Sequence, residues 1–145
     1  MISVEQIMTH EVETISPNAS VWAGARRMRD LNVGFLPVCV VDHMVGVVTD
    51  RDITIRAVAK GLDPALTTIG DVMTPGMISC FDDQDVETAM HLMNAHQIRR
   101  LVVLDHGKNL VGVISLGDLA VDALKDVQAG QALKSISWPA EPERQ

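Results

Sequence analysis

The sequence predicts an α+β fold written twice, two βαββα units related by a pseudo-twofold axis and sharing one core. Three observations carry this. The stretch Gly46-Val47-Val48-Thr49-Asp50-Arg51-Asp52 returns as Gly112-Val113-Ile114-Ser115-Leu116-Gly117-Asp118, an offset of 112 − 46 = 66 residues. Upstream of the two copies, Val86, Met90 and Met93 lie 65 residues beyond Val21, Ala25 and Met28, at the spacing of one helix face. The chain has 145 residues, 47% of them hydrophobic, which suits one domain or two small units with a joint interior. Self-similarity at a fixed period takes precedence over any local signal in deciding architecture.

The elements follow in order. Ser3-Val4-Glu5-Gln6 has the form of a capping box, so a short helix runs to Met8. Residues 12–15 read as a short strand. Ser16-Pro17 then opens a helix, with proline at an early position where its missing N–H is harmless. Val21, Ala25, Met28 and Leu31 give that helix its apolar stripe, and Arg26, Arg27, Arg29 and Asp30 its wet face. Asn32-Val33-Gly34 ends it. An almost wholly apolar strand over 35–41, buried on both faces, turns at Asp42-His43 into a strand over 44–49. A helix from Asp50 to about Lys60 stops at Gly61.

A linker over 62–68 contains Asp63-Pro64, and the order then restarts. Residues 69–73 repeat the first short helix, and Met73-Thr74-Pro75 echoes Met8-Thr9-His10 at 73 − 8 = 65. A strand at 78–80, a helix from about Asp83, and strands over 100–104 and 110–115 follow. The turn through Asp105-His106-Gly107-Lys108 carries one extra residue, which moves the offset from 65 to 66. The last helix runs from Leu116 to about Val127. The repeats therefore occupy 1–61 and 69–127. Residues 128–145, with Trp138-Pro139-Ala140-Glu141-Pro142-Glu143, read as an extended, polar, under-ordered tail.

Composition removes several function classes. A net charge of −7 opposes nucleic acid, whose phosphates need a basic face. Aromatic residues reach only 3%, too few for a base-stacking platform. No apolar run is long enough to cross a bilayer, and the first eight residues have neither the basic region nor the apolar core of a signal peptide. A cytoplasmic protein is the expectation. Cys39 and Cys80 stand alone in apolar strands and the five histidines are scattered, so buried, inert thiols are expected and no metal site, with a redox or metal role for Cys39 the lesser alternative.

Each repeated stretch is an apolar strand that ends in a hydroxyl, with a carboxylate three residues on and a helix beyond. Free N–H groups at a helix start attract phosphate. The hydroxyl of Thr49 or Ser115 can donate to a phosphate oxygen. Asp52 and Asp118 lie in the first turn, where the helix dipole keeps them ionised, and an ionised carboxylate can accept both hydroxyls of a ribose. The bland reading is that Thr, Ser and Asp only cap a helix. For one copy alone capping is the better reading; two copies inside matching repeats shift the balance toward a ligand.

An I-M-T-like start, an L-P-V strand and a G-h-h-[ST]-x-x-D corner, in that order and twice, resemble a tandem pair of CBS domains. Gly34-Phe35-Leu36-Pro37-Val38 and 45–52 carry the resemblance in the first repeat; His96-Gln97-Ile98-Arg99-Arg100-Leu101-Val102-Val103 and 111–118 carry it in the second. The Thr49-Asp50-Arg51-Asp52-Ile53 run and the size are also similar to small actinobacterial hypoxic-response members. The resemblance implies two clefts between the repeats that take AMP, ADP, ATP or S-adenosylmethionine, and dimerisation through the helices. It implies phosphate at Thr49 and Ser115, ribose at Asp52 and Asp118, and cations for phosphate at Arg99 and Arg100. The first repeat has Gly34 and Phe35 where the second has Arg99 and Arg100; it offers Arg51, flanked by Asp50 and Asp52. Unequal affinity of the two clefts is the expectation.

These residues suggest a regulatory module that binds an adenosine compound and signals to a separate effector protein. The alternative is a ligand-free interaction module whose dimer surface is the function. Apolar residues on several sides of the two post-corner helices, Ile53, Ile55 and Val58 in one and Leu119, Val121 and Leu124 in the other, suit a homodimer. Catalysis is not expected, since there is no nucleophile–base pairing, metal spacing or glycine-rich phosphate loop.

Overall fold

The computed structural model describes residues 2–76 and 78–122. The expected end of the last helix near Val127, Leu124 on it, and the tail with Trp138 lie outside the described residues. In chain order the elements are helix α1 (Val4–Ile7), helix α2 (Val21–Leu31), strands β1 (Phe35–Val40) and β2 (His43–Thr49), and helix α3 (Asp50–Ile53) running into a π-helical turn (Thr54–Val58). Then come helix α4 (Ile69–Val72), strands β3 (Thr74–Pro75) and β4 (Ser79–Phe81), helix α5 (Val86–His96), strands β5 (Arg100–Leu104) and β6 (Leu110–Ser115), and helix α6 (Leu116–Asp122). Two three-stranded sheets result, β1-β2-β3 and β4-β5-β6.

The compact units are not the sequence repeats. One unit joins residues 2–12 to 78–122, and the other is 13–76. Each unit takes its Met-Thr segment from the other repeat. Thr9 exchanges backbone hydrogen bonds with Val113, at 2.9 and 3.1 Å, and Val4 N donates to Gln84 O at 2.8 Å. In the other unit β3 pairs antiparallel with β2, Thr74 opposite Val47 and Pro75 opposite Gly46.

Glycine in the strand makes these contacts possible. A Cβ on Gly46 would lie 2.5 Å from Thr74 O, and one on Gly112 would lie 2.8 Å from Thr9 O and 2.5 Å from Met8 Sδ. The buried apolar residues form one cluster in each unit. Val4, Met8, Met93, Leu101, Ile114 and Leu119 belong to the first, and Val21, Leu36, Val38, Val48, Ile69 and Val72 to the second. Burying a side chain such as Val4 or Ile69 contributes about 1.5–3 kcal/mol.

The two long helices follow the repeat closely. Ser20 Oγ accepts from Ala23 N at 3.0 Å and Asp85 Oδ1 accepts from Thr88 N at 2.8 Å, two N-caps at equivalent positions. Asn32 (φ 55°) and Gln97 (φ 53°) end them in the left-handed conformation. Helix α2 starts later than expected, at Val21 and not at Ser16-Pro17. Ser16 instead closes a turn, its carbonyl accepting from Ala19 N and its hydroxyl from Asn18 N, both at 3.1 Å. Its buried face is Val21, Gly24 and Met28, while Ala25 and Leu31 are exposed. Gly24 lets Ile69 approach so closely that a Cβ there would lie 2.6 Å from its Cδ1.

Residues 12–15 form no strand. Only Ile15 bridges to Val38, accepting from Cys39 N and donating to Pro37 O, each at 3.0 Å. Of the apolar residues on the post-corner helices, Ile55, Val58 and Val121 are exposed, whereas Ile53 and Leu119 are buried in their own units.

A Cβ at Gly46 meets backbone, which cannot rotate away. Gly46→Ala is expected to destabilise the protein by about 1–3 kcal/mol, as overpacking does. Chemical denaturation followed by circular dichroism checks this, and an unchanged midpoint would refute the close-approach account.

Candidate functional site

Strand pairing assembles the second corner. Arg100 lies directly opposite Ser115, and Leu116 N donates to Arg99 O at 2.9 Å, so both arginines are tied to the start of α6. Ser115 N donates to Asp118 Oδ2 at 2.9 Å, and Ser115 Oγ accepts from Asp118 N at 3.1 Å, a reciprocal capping box. The box leaves chemistry over. The Ser115 hydroxyl proton has no acceptor among the described residues. Asp118 is half-buried, and its Oδ1 has no hydrogen-bond partner among the described residues. Arg99 and Arg100 are exposed.

The first corner has the same backbone and different electrostatics. Phe35 lies opposite Thr49, and Asp50 N donates to Gly34 O at 3.0 Å, the counterpart of the Leu116–Arg99 bond. Thr49 N donates to Asp52 Oδ2 and Thr49 Oγ1 accepts from Asp52 N, both at 3.0 Å. Here the carboxylate has further partners. Thr74 Oγ1 lies 3.3 Å from Oδ1 and 3.4 Å from Oδ2, and Arg56 Nη1 lies 3.7 Å from Oδ1. Asp52 is only 5% exposed. The Asp50 carboxylate covers Gly34, 2.8 Å from where a Cβ would stand, and Arg51 projects into solvent. A second carboxylate thus occupies the ground that Arg99 holds in the other repeat.

The structure therefore gathers Thr49, Arg51 and Asp52 at one corner and Arg99, Arg100, Ser115 and Asp118 at the other. Sequence reasoning missed Arg56 and Thr74. The Asp52–Arg56 spacing of four on a helix was a usable signal. Thr74 was visible as an echo of Thr9, but which strand it pairs with is a tertiary fact.

Both cysteines are buried and neither is in a disulfide. Burial, helped by the Asp82 charge, pushes the Cys80 thiol up to about 11; burial and Asp42 also raise Cys39. Away from the corners, His106 stacks on Phe81 with ring centroids 4.6 Å apart and pairs with Asp83 at 2.7 Å. Among the described residues no group of three or more His, Cys, Asp or Glu side chains gathers as a metal ion would need. No helix there is long and apolar enough to cross a membrane.

Two like strand-to-helix corners, each backed by a Met-Thr segment, define a tandem-repeat module with two candidate positions for a polar ligand. The CBS domain matches at residues 4–58 and 69–122, and the chain belongs to the CBS-domain family. It is 42% identical over 137 residues to the CBS domain-containing protein YhcV of Bacillus subtilis, covering 94% of this chain and 96% of YhcV. Hypoxic response protein 1 of Mycobacterium tuberculosis is 31% identical over 121 residues, 83% of this chain and 84% of that protein. The crystal structure of Hypoxic Response Protein I with two coordinated zinc ions superposes with a TM-score of 0.74 at 31% identity, over 83% of this chain and 98% of that one. That of CBSX2 in complex with AMP gives 0.72 at 26% identity, over 92% and 99%.

Thiolate is the reactive form, so raised pKa values and burial predict sluggish thiols. Both cysteines are expected to react with an aromatic disulfide reagent at pH 8 only after denaturant is added. Rapid labelling of the native protein would contradict their placement.

Proposed function

We propose that this protein is a ligand-sensing regulatory module that binds an adenine nucleotide at the Asp118 corner. The observation that carries the reading is the Asp118 Oδ1, without a hydrogen-bond partner among the described residues and beside Ser115, with the backbones of Arg99 and Arg100 fixed next to them by strand register. In this reading Asp118 accepts the ribose hydroxyls. Ser115, which accepts the Asp118 N–H, donates its own proton to phosphate. Arg99 and Arg100 neutralise the phosphate charge through charge-assisted bonds, the stronger kind. The AMP complex of CBSX2 supports the ligand class. S-adenosylmethionine is the other adenosine compound to assay. Occupancy would act on a separate effector protein, and the exposed helical residues Ile55, Val58 and Val121 suit a second copy of the chain as the first partner.

The competing reading, a ligand-free interaction module, draws on the capping boxes at both corners, which account for the hydroxyls and carboxylates without any ligand. Calorimetric titration with AMP separates the two. Removing the Asp118 carboxylate unpairs ribose hydroxyls, so Asp118→Ala is expected to weaken AMP binding by roughly tenfold to a hundredfold, about 1–3 kcal/mol. Absence of binding to the unaltered protein by AMP, ADP, ATP and S-adenosylmethionine would favour the interaction module. Light scattering at micromolar concentration is expected to give a dimer mass that falls to a monomer in Val58→Glu or Val121→Glu. A monomer before substitution would remove the dimer from the proposal.

A further inference from the structure

We propose that the first corner is closed by the chain itself: Thr74 and Arg56 engage Asp52, which makes this carboxylate a structural lock on residues 72–74 and not a ligand contact. The assignment of nucleotide to the other corner rests on the reading above; the lock does not. A carboxylate offers about four lone-pair directions. Asp52 accepts from Thr49 N and the Thr74 hydroxyl and has the Arg56 guanidinium beside it at 3.7 Å, an ion pair without a hydrogen bond, with 5% of the residue left to solvent. The same Arg56 Nη1 donates to Val72 O and Met73 O, each at 3.0 Å, and to Thr74 Oγ1 at 3.3 Å. One cation thus ties the post-corner helix to the end of α4 and the start of β3.

The backbone is shaped around this contact. Arg56 sits in the middle of the π-helical turn, where Ala59 N reaches back to Thr54 O at 2.8 Å. Such wide turns tend to mark functional positions in helices. In the second repeat α6 is described only as far as Asp122, which stands in the sequence at the position of Arg56 (56 + 66 = 122). Thr9 stands in the place of Thr74, opposite Val113 as Thr74 is opposite Val47. Among the described residues Thr9 makes no side-chain bond to Asp118. One repeat has spent its carboxylate on its own architecture. A ribose at Asp52 would have to displace the Thr74 hydroxyl from a carboxylate that is only 5% exposed, and an exchange of partners at a buried charge is costly.

Two measurements on the full-length protein test the proposal. The first needs no ligand: thermal unfolding of Arg56→Ala, Asp52→Asn, Thr74→Val and the Arg56→Ala/Asp52→Asn double variant, beside Asp118→Asn. Each lock variant is expected to lower Tm by about 3 °C or more. The double variant should lose less than the sum of its singles, because the partners are coupled. Asp118→Asn should shift Tm by less than any of them. Thr74→Val removes only a hydroxyl and keeps the lock testable if the charge variants fail to fold. Equal shifts at Asp52 and Asp118, or additive losses, overturn the lock. The second measurement is titration with AMP, where Asp52→Asn or Thr74→Val is expected to change affinity less than threefold while Asp118→Asn weakens it at least tenfold. A loss at Asp52 as large as that at Asp118 overturns the assignment. If the unaltered protein does not bind AMP, the nucleotide reading fails and the lock is judged on the melting data alone.

Discussion

The fold depends on two places where backbone meets backbone with no side chain between. At Gly46 and Gly112 a strand has no Cβ, and a Met-Thr segment lies down in the space, near enough for its carbonyl to collide with any added carbon. Hydrophobic burial would drive Val4, Met8, Ile69 and Val72 inward in many arrangements, since it has no direction. The glycine contacts convert that pressure into one register, and the register then sets everything at the strand ends. It fixes Thr74 opposite Val47 and Thr9 opposite Val113, and so decides what stands behind each corner.

From that shared frame the two corners acquire opposite character through few substitutions. Leucine replaces Asp50 at position 116 and arginine replaces Gly34 at position 99, which turns a carboxylate lying on bare backbone into a cation beside an apolar residue. In sequence, Asp122 stands where the first repeat has Arg56, the cation on which its carboxylate leans. Neither backbone bond that builds the corner changes. A repeat architecture lets the scaffold stay constant while charge is redistributed on it.

Most of the fold was legible in the sequence because its determinants are local. Strands over 100–104 and 110–115 agree with the structure residue for residue, since apolar runs bounded by a polar turn say where they begin and end. The start of α2 was misread because Pro17 satisfies a helix N-terminus and a turn equally well; the Ser20 hydroxyl bonded to Ala23 N decides the matter. Ala25 was assigned inward because period alone cannot see that Gly24, having no side chain, marks the face of closest packing. The corner residues were found through their spacing. What surrounds Asp52 was not, because Arg56 and Thr74 meet it only once β3 has paired with β2. The exchange of Met-Thr segments was invisible for the same reason: a repeat in sequence does not say which copy it folds against.

That exchange has a consequence for the growing chain. The unit at 13–76 draws all its pairings from one continuous stretch, so it can close as soon as Pro75 has left the ribosome. The other unit cannot. Its helix α1 and Thr9 are made well before they are needed, since their hydrogen-bonding partners, Gln84 and Val113, follow 84 − 4 = 80 and 113 − 9 = 104 residues later in the chain. Val4 and Met8 therefore wait in water while the middle of the protein folds. Residues 2–12 belong to a core in the finished unit, yet while the chain grows they are apolar surface without its partner, the kind of surface that invites aggregation.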